Sequence, residues 1–355
     1  MFDIDEIIKE EYLSTNNKKV SNETMNEYLT SFKNEELTRF AITQVFVDKD
    51  YINLFKIKNL NNRPKKFIIE YITKNLDKIL KSYIKIIKDV ELEQLKLIID
   101  NNGKKLFFEE RPISIHFINF LKTFSLAKVE YNHKDESIKT FMPKEFIKIL
   151  KSSLNNKELL EINKYNNKIF DYAETIINTY GIVSLEKLHE IFESQMFKID
   201  IDELNHIIEF KSMFEEINIY LYNEKKLLCN IEFSDEDFAL SFYEEQKMHY
   251  KKFSKEDYRL ISEGNYVDKL KSYKKFVNYL CRNYVGINSD MEFIKEMIVN
   301  DYMYSAQTCI KEADDNFKKN IQDFIETDEQ ILNELLVLIK NIYKEYPKWI
   351  KRGNC

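Results

Sequence analysis

Five glycines and four prolines among 355 residues set the tightest limit on what this chain can fold into. Average usage would place roughly 25 glycines and about 18 prolines in a chain of this length. Glycine serves where the backbone must take positive φ or lie against a phosphate. The five, Gly103, Gly181, Gly264, Gly286 and Gly353, stand far apart. Neither a phosphate-cradling loop nor a dinucleotide fingerprint can be built from them. What remains is a set of helices joined by short polar turns. Gly103 and Gly181 fall where helices should end, Gly264 and Gly286 separate C-terminal helices, and Gly353 lies in the tail.

The length is enough for two or three domains with their own cores. Hydrophobic residues at 44% and charged residues at 32% describe a globular chain and not a disordered one. Of 54 basic residues only Arg39, Arg63, Arg111, Arg259, Arg282 and Arg352 are arginine. The excess of lysine, asparagine and isoleucine reads as the bias of an AT-rich bacterial genome. It leaves few of the bidentate cations that read guanine and phosphate. Cys229, Cys281, Cys309 and Cys355 are scattered without a C-x-x-C, so we expect reduced thiols packed as small hydrophobes. The start has no basic region of a signal peptide, and no apolar run approaches a membrane span of about 18 residues. The expected location is cytoplasmic.

Residues 1–89 form a helical N-terminal module. Asn34 caps a helix carrying Leu37, Phe40, Ala41 and Val45, and a loop around Arg63-Pro64 opens a longer one. In that helix Ile68, Ile72, Leu76, Ile79, Tyr83 and Ile87 make an apolar stripe. Lys74, Lys78, Lys81, Lys85 and Lys88 lie opposite it. Residues 52–88 hold ten basic side chains against Glu70 and Asp77, a net of +8. With Lys65 and Lys66, these lysines are the candidate contacts to nucleic acid or an acidic partner. Residues 34–88 faintly resemble SAP-like and Rho N-terminal-like nucleic-acid-binding modules, without the glycine usual in their loop.

Two segments, 90–165 and 166–250, repeat an order. In the first, a helix over Val90–Asn101 stops at Gly103 and a second runs over Ser114–Phe124. Alternating strands follow at Leu126–Tyr131 and Ser137–Phe141, then a helix from Pro143 to Leu150. In the second, a helix over Ile169–Tyr180 stops at Gly181, Ser184 caps the next, and a third spans Asp202–Glu216. A hairpin pairs Ile217–Tyr222 with Leu227–Phe233 around Asn223-Glu224-Lys225-Lys226. Helices followed by a two-stranded wing, with the stretch Tyr180-Gly181-Ile182-Val183-Ser184-Leu185, resemble tandem winged-helix proteins over about 90–240. The fold class expected is therefore mainly α, with two small hairpin-bearing units before an all-helical segment, 251–355. Hydroxyl starts at Ser234, Ser254, Ser289 and Thr327 punctuate the C-terminal part, and Trp349, the one tryptophan, follows Pro347. The ending Pro347-Lys348-Trp349-Ile350-Lys351-Arg352-Gly353 resembles that of uncharacterised bacterial proteins. The cysteine-rich zinc motif that follows in some of them has no counterpart here.

Catalytic chemistry finds little support. Two Glu-x-x-His steps, Glu186 with His189 and Glu203 with His206, match the spacing of carboxylate-bridged metal sites. They fall on short consecutive helices beside the apolar stripes, so no metal or cofactor is expected. His116, His133 and His249 lie in unrelated contexts, and no nucleophile motif is present. Residues 184–245 carry sixteen acids against five lysines, a net of −11. A reading helix over 202–216 with Asp202, Glu203, Glu209, Glu215 and Glu216 against Lys211 would be repelled by phosphate. The expectation is a non-enzymatic regulatory or scaffold protein whose partner is another protein. Nucleic-acid association through the lysine face is the alternative.

Overall fold

Several helices in this chain begin where a short polar side chain can take the orphan N–H groups of the first turn. In the computed structural model, Thr24 does so with Glu27, Ser114 with Phe117 and Ser254 with Asp257. Two expected starts move one residue on: the caps are Asp235 and Asp328, not Ser234 and Thr327. A carboxylate is the stronger acceptor at the positive end of a helix dipole. The structure describes residues 23–47, 60–107, 113–132, 134, 137–195, 198–212, 217–284 and 287–355. His133, Gly286 and the pair Glu215-Glu216 lie outside them.

The chain is mainly helical with two small three-stranded antiparallel sheets, and it divides into two compact units. The first comprises 1–170 with 205–214, the second 171–204 with 215–355. In the first unit, helices α1 (Met25–Thr30), α2 (Asn34–Val47), α3 (Lys65–Ile84) and α4 (Asp89–Asp100) lead to strand β1 (Lys105–Phe107). Helix α5 (Ile115–Thr123), strands β2 (Lys128–Asn132) and β3 (Ser137–Phe141), and helix α6 (Lys144–Leu154) follow. Helix α7 (Lys157–Tyr180) then runs on into the second unit. The first core is built on stacked aromatics, with Phe40 and Phe146 parallel at 5.4 Å and Tyr28 edge-on to Phe146 at 5.5 Å.

Helix α3 buries Ile68, Ile72, Leu76, Ile79 and Tyr83, as the stripe requires. It ends at Ile84, short of Ile87 and Lys88. The reason lies on α7, which starts at Lys157 and not at Ile169. Asn163 donates to the carbonyls of Ile84 and Ile87, both at 2.7 Å. Asn166 donates to Lys85 and Asn167 to Ile87. These amides satisfy carbonyls that a helix end leaves open. Asparagine favours turns over helix interiors, yet here all three lie inside α7.

The second unit continues from α7 into strand β4 (Ile182–Ser184), helices α8 (Leu185–Gln195) and α9 (Ile201–Ser212), and the hairpin β5 (Asn218–Tyr222) and β6 (Lys225–Cys229). Residues 205–212 of α9 count with the first unit. Helices α10 (Glu236–Glu245), α11 (Lys255–Ser262), α12 (Lys271–Asn283), α13 (Met291–Ile294), α14 (Asp301–Ser305), α15 (Ile310–Phe324) and α16 (Glu329–Glu345) complete it.

Both sheets place the short first strand beside the last, β1-β3-β2 and β4-β6-β5. Three residues are too few to show alternation, so β1 and β4 carry no sequence signal. The second hairpin turns on two residues, Asn223 (φ 47°) and Glu224 (φ 66°), with Tyr222 opposite Lys225. Left-handed conformation at both positions suits the tight hairpin turn. Lys225 and Lys226 therefore belong to the strand and not to the expected four-residue turn.

Candidate functional site

On α3 the candidate lysines do not form one continuous face. Lys66, Lys74 and Lys78 are exposed, whereas Lys65, Lys81, Lys85 and Lys88 are half-buried. Lys65 donates to the Thr30 carbonyl at 3.0 Å, and Lys81 pairs with Asp77 at 2.7 Å. Lys88 leaves the stripe altogether: it caps α4, where its backbone N–H donates to Glu91. Among the described residues no ion pair involves Lys66, Lys74 or Lys78.

Helix α9 keeps Asp202 exposed and Glu203 and Glu209 half-buried. Its one lysine in the described residues, Lys211, is buried with its ammonium 5.2 Å from the Phe170 ring centre, and Phe210 belongs to the first core. A cation held over an aromatic face inside a core is not offered to phosphate.

The two Glu-x-x-His steps separate. Glu186 is exposed, and His189 Nε2 donates to the Ile199 carbonyl at 2.7 Å, which fixes that nitrogen as protonated. His206 is buried, a correction to its expected place at the edge of the core. Among the described residues, no three His, Cys, Asp or Glu side chains gather into a group able to hold a metal ion. The thiols also divide. Cys229 is buried and its thiol is pushed up to about 12 by burial, while Cys309 and Cys355 are exposed and not packed as expected. Desolvation of the thiolate keeps the buried Cys229 thiol protonated.

The most elaborate polar arrangement surrounds Trp349, which is 2% exposed. Its indole N–H donates to the Asn178 carbonyl at 2.7 Å, and its backbone N–H donates to Gln307 Oε1 at 3.0 Å. Gln246 Nε2 donates to the carbonyls of both Tyr180 and Trp349. Gln307 Nε2 returns to the Met303 and Pro347 carbonyls. The ring packs on Phe233 at 5.6 Å and Tyr304 at 5.4 Å. Beside it, the Tyr180 hydroxyl donates to the Lys251 carbonyl at 2.6 Å and accepts from the Tyr258 hydroxyl at 2.7 Å. This latch ties the tail to the turn at Gly181 and to the segment after α10. The lone tryptophan after Pro347 was its one sequence signal; Gln246 and Gln307 gave none.

Among the described residues, no helix is long and apolar enough to cross a membrane. Comparison with family models, curated proteins and solved structures finds no match to this chain.

Proposed function

We propose that this is a non-enzymatic scaffold or regulatory protein that acts through protein contacts. One observation carries the reading: α9, the place where a winged-helix reader would face DNA, exposes Asp202, keeps Glu203 and Glu209 half-buried and holds Lys211 inside a core. The winged-helix-like reading itself is supported by the order helix, strand, helix, helix, hairpin around β4-β6-β5. Such a surface repels a phosphate backbone and suits a partner with complementary charge. Affinity capture with the full chain tests it, using charge reversal at Asp202, Glu203 and Glu209. A stoichiometric partner held by the wild type and lost from a folded variant supports the reading. Equal capture by both, or no partner, overturns it.

A second reading, nucleic-acid association through α3, is favoured by exposed Lys66, Lys74 and Lys78. Here binding should weaken steeply with salt and disappear when these lysines are reversed to glutamate.

A further inference from the structure

Two segments about a hundred residues apart meet in the second unit, and both are basic. Residues 247–255 contain Lys247, Lys251, Lys252, Lys255 and His249 with no carboxylate. Residues 344–352 contain Lys344, Lys348, Lys351 and Arg352 against Glu345. Two bonds join them, and a third comes from Asn354 just beyond the second segment. The Lys251 backbone N–H donates to the Arg352 carbonyl at 3.0 Å, Asn354 Nδ2 to the His249 carbonyl at 2.8 Å, and Arg352 Nη1 to the Met248 carbonyl at 3.3 Å.

The cations are left without side-chain counter-charge. Among the described residues, none of these lysines, nor Arg352, pairs with a side-chain carboxylate. Three nearby acids are engaged elsewhere, Glu256 with Arg259 at 2.8 Å, Asp257 with Lys269 at 2.7 Å, and Glu244 with the Tyr222 hydroxyl, while Glu245 and Glu345 are exposed beside the lysines. Arg352 holds positive φ (50°), stacks 4.6 Å from the Tyr250 ring centre, and has a buried Nε without a hydrogen-bond partner. Lys187, paired with Glu190 at 2.8 Å, approaches the same ring at 5.4 Å. Burial first, and then the neighbouring Lys351, lower the pKa of Lys348, with Cys355 acting in the opposite direction. Lys247, Lys252, Lys255 and Lys344 remain exposed.

We propose that this face, built from residues 247–255 and 344–352, is a nucleic-acid backbone-binding surface. Crowded, unneutralised cations are relieved by a polyanion, and each phosphate engaged releases counterions. A protein partner would also need an apolar or aromatic anchor at the centre of its footprint. The two segments expose only Met248 as a large hydrophobic. Lysine-dominated surfaces of this kind hold the backbone without reading sequence. The surface shares its ligand class with the second reading above but not its location, and it does not depend on the scaffold reading.

The test uses the full chain with mixed-sequence duplex DNA, mixed-sequence single-stranded RNA and polyglutamate, from about 50 to about 200 mM salt. We expect nucleic acid to bind, with a log–log salt slope of about −0.9 per phosphate engaged on duplex DNA. Lys247→Gln, Lys252→Gln and Lys255→Gln together should weaken binding by about tenfold or more and flatten that slope by roughly one for each phosphate no longer engaged. Lys66→Gln, Lys74→Gln and Lys78→Gln on α3 should leave it unchanged. Absence of binding at low salt overturns the proposal. So does loss of binding through the α3 variant alone, or tighter binding to polyglutamate than to either nucleic acid.

Discussion

The two sheets share a strand order, yet the glycine that precedes each first strand serves a different purpose. Gly103 (φ 76°) donates to the Thr140 carbonyl at 2.7 Å, and Asn102 clamps Met142 through both its amide atoms. A methyl group on Gly103 would meet nothing within 4 Å. Gly181 (φ 74°) stands against Trp349, and a methyl group there would lie 2.7 Å from the indole ring. The first glycine, two residues past the Asn101 cap of α4, turns the chain towards β1. The second also makes room for a residue far along the chain. Equivalent positions in similar local structure thus differ by what the tertiary fold brings to them.

Removing the indole should have the largest effect. Trp349→Ala should cost about 3–5 kcal/mol, since a buried aromatic and its hydrogen bond are lost together. Denaturant unfolding measures the loss. Hydrogen exchange should show lowered protection in β4-β6-β5 with β1-β3-β2 little changed; equal loss in both sheets would break the comparison.

The glycine pair comes next. Gly181→Ala combines left-handed backbone strain with a clash against a packed ring, and should cost about 2–4 kcal/mol. Gly103→Ala carries the strain alone, about 1–2 kcal/mol. Similar thermal shifts for the two variants would show that Trp349 yields freely.

A comparable test in the first unit is Asn163→Ala, which strips donors from two buried carbonyls. About 1–3 kcal/mol is expected, with exchange rising first at the end of α3.

The smallest effect concerns alkali. Burial pushes the Tyr258 and Tyr250 phenols of the second unit up to about 12, and Tyr180 higher still. Unfolded phenols ionise near 10, so above that pH the unfolded chain gives up protons that the folded chain retains. Stability from this source is fully present below about pH 10 and falls as pH rises towards 12. Exchange followed across that range should show amides around Tyr180 and Tyr258 losing protection, and a pH-independent profile would refute the cause.

How much of this was legible in the sequence differs by element. Stripes at helical spacing, such as Ile68 to Tyr83, declared both the helix and its buried face. The strands at 137–141 and 218–222 declared themselves by alternation. Strands β1 and β4 did not, because three residues cannot show a period. The first half of α7 gave little signal, since Asn163, Asn166 and Asn167 are weak helix formers whose amides serve another helix's carbonyls. Candidate surfaces followed the same division. The lysines of α3 were visible as a local pattern, but the structure shows Lys88 leaving that helix and Lys81 paired with Asp77. The basic face at 247–255 and 344–352 was invisible, because neither segment stands out until the other lies beside it.

What the sequence determined by itself was local: helices from apolar periodicity, their starts from capping side chains, and the exclusion of phosphate loops from five dispersed glycines. Only the tertiary structure decided which glycine faces an indole, which asparagines close another helix, and where unpaired cations collect. Periodicity and capping act over a few residues, within reach of reading along the chain. Close approach and charge accumulation are set by distance in space, which residue order does not encode directly.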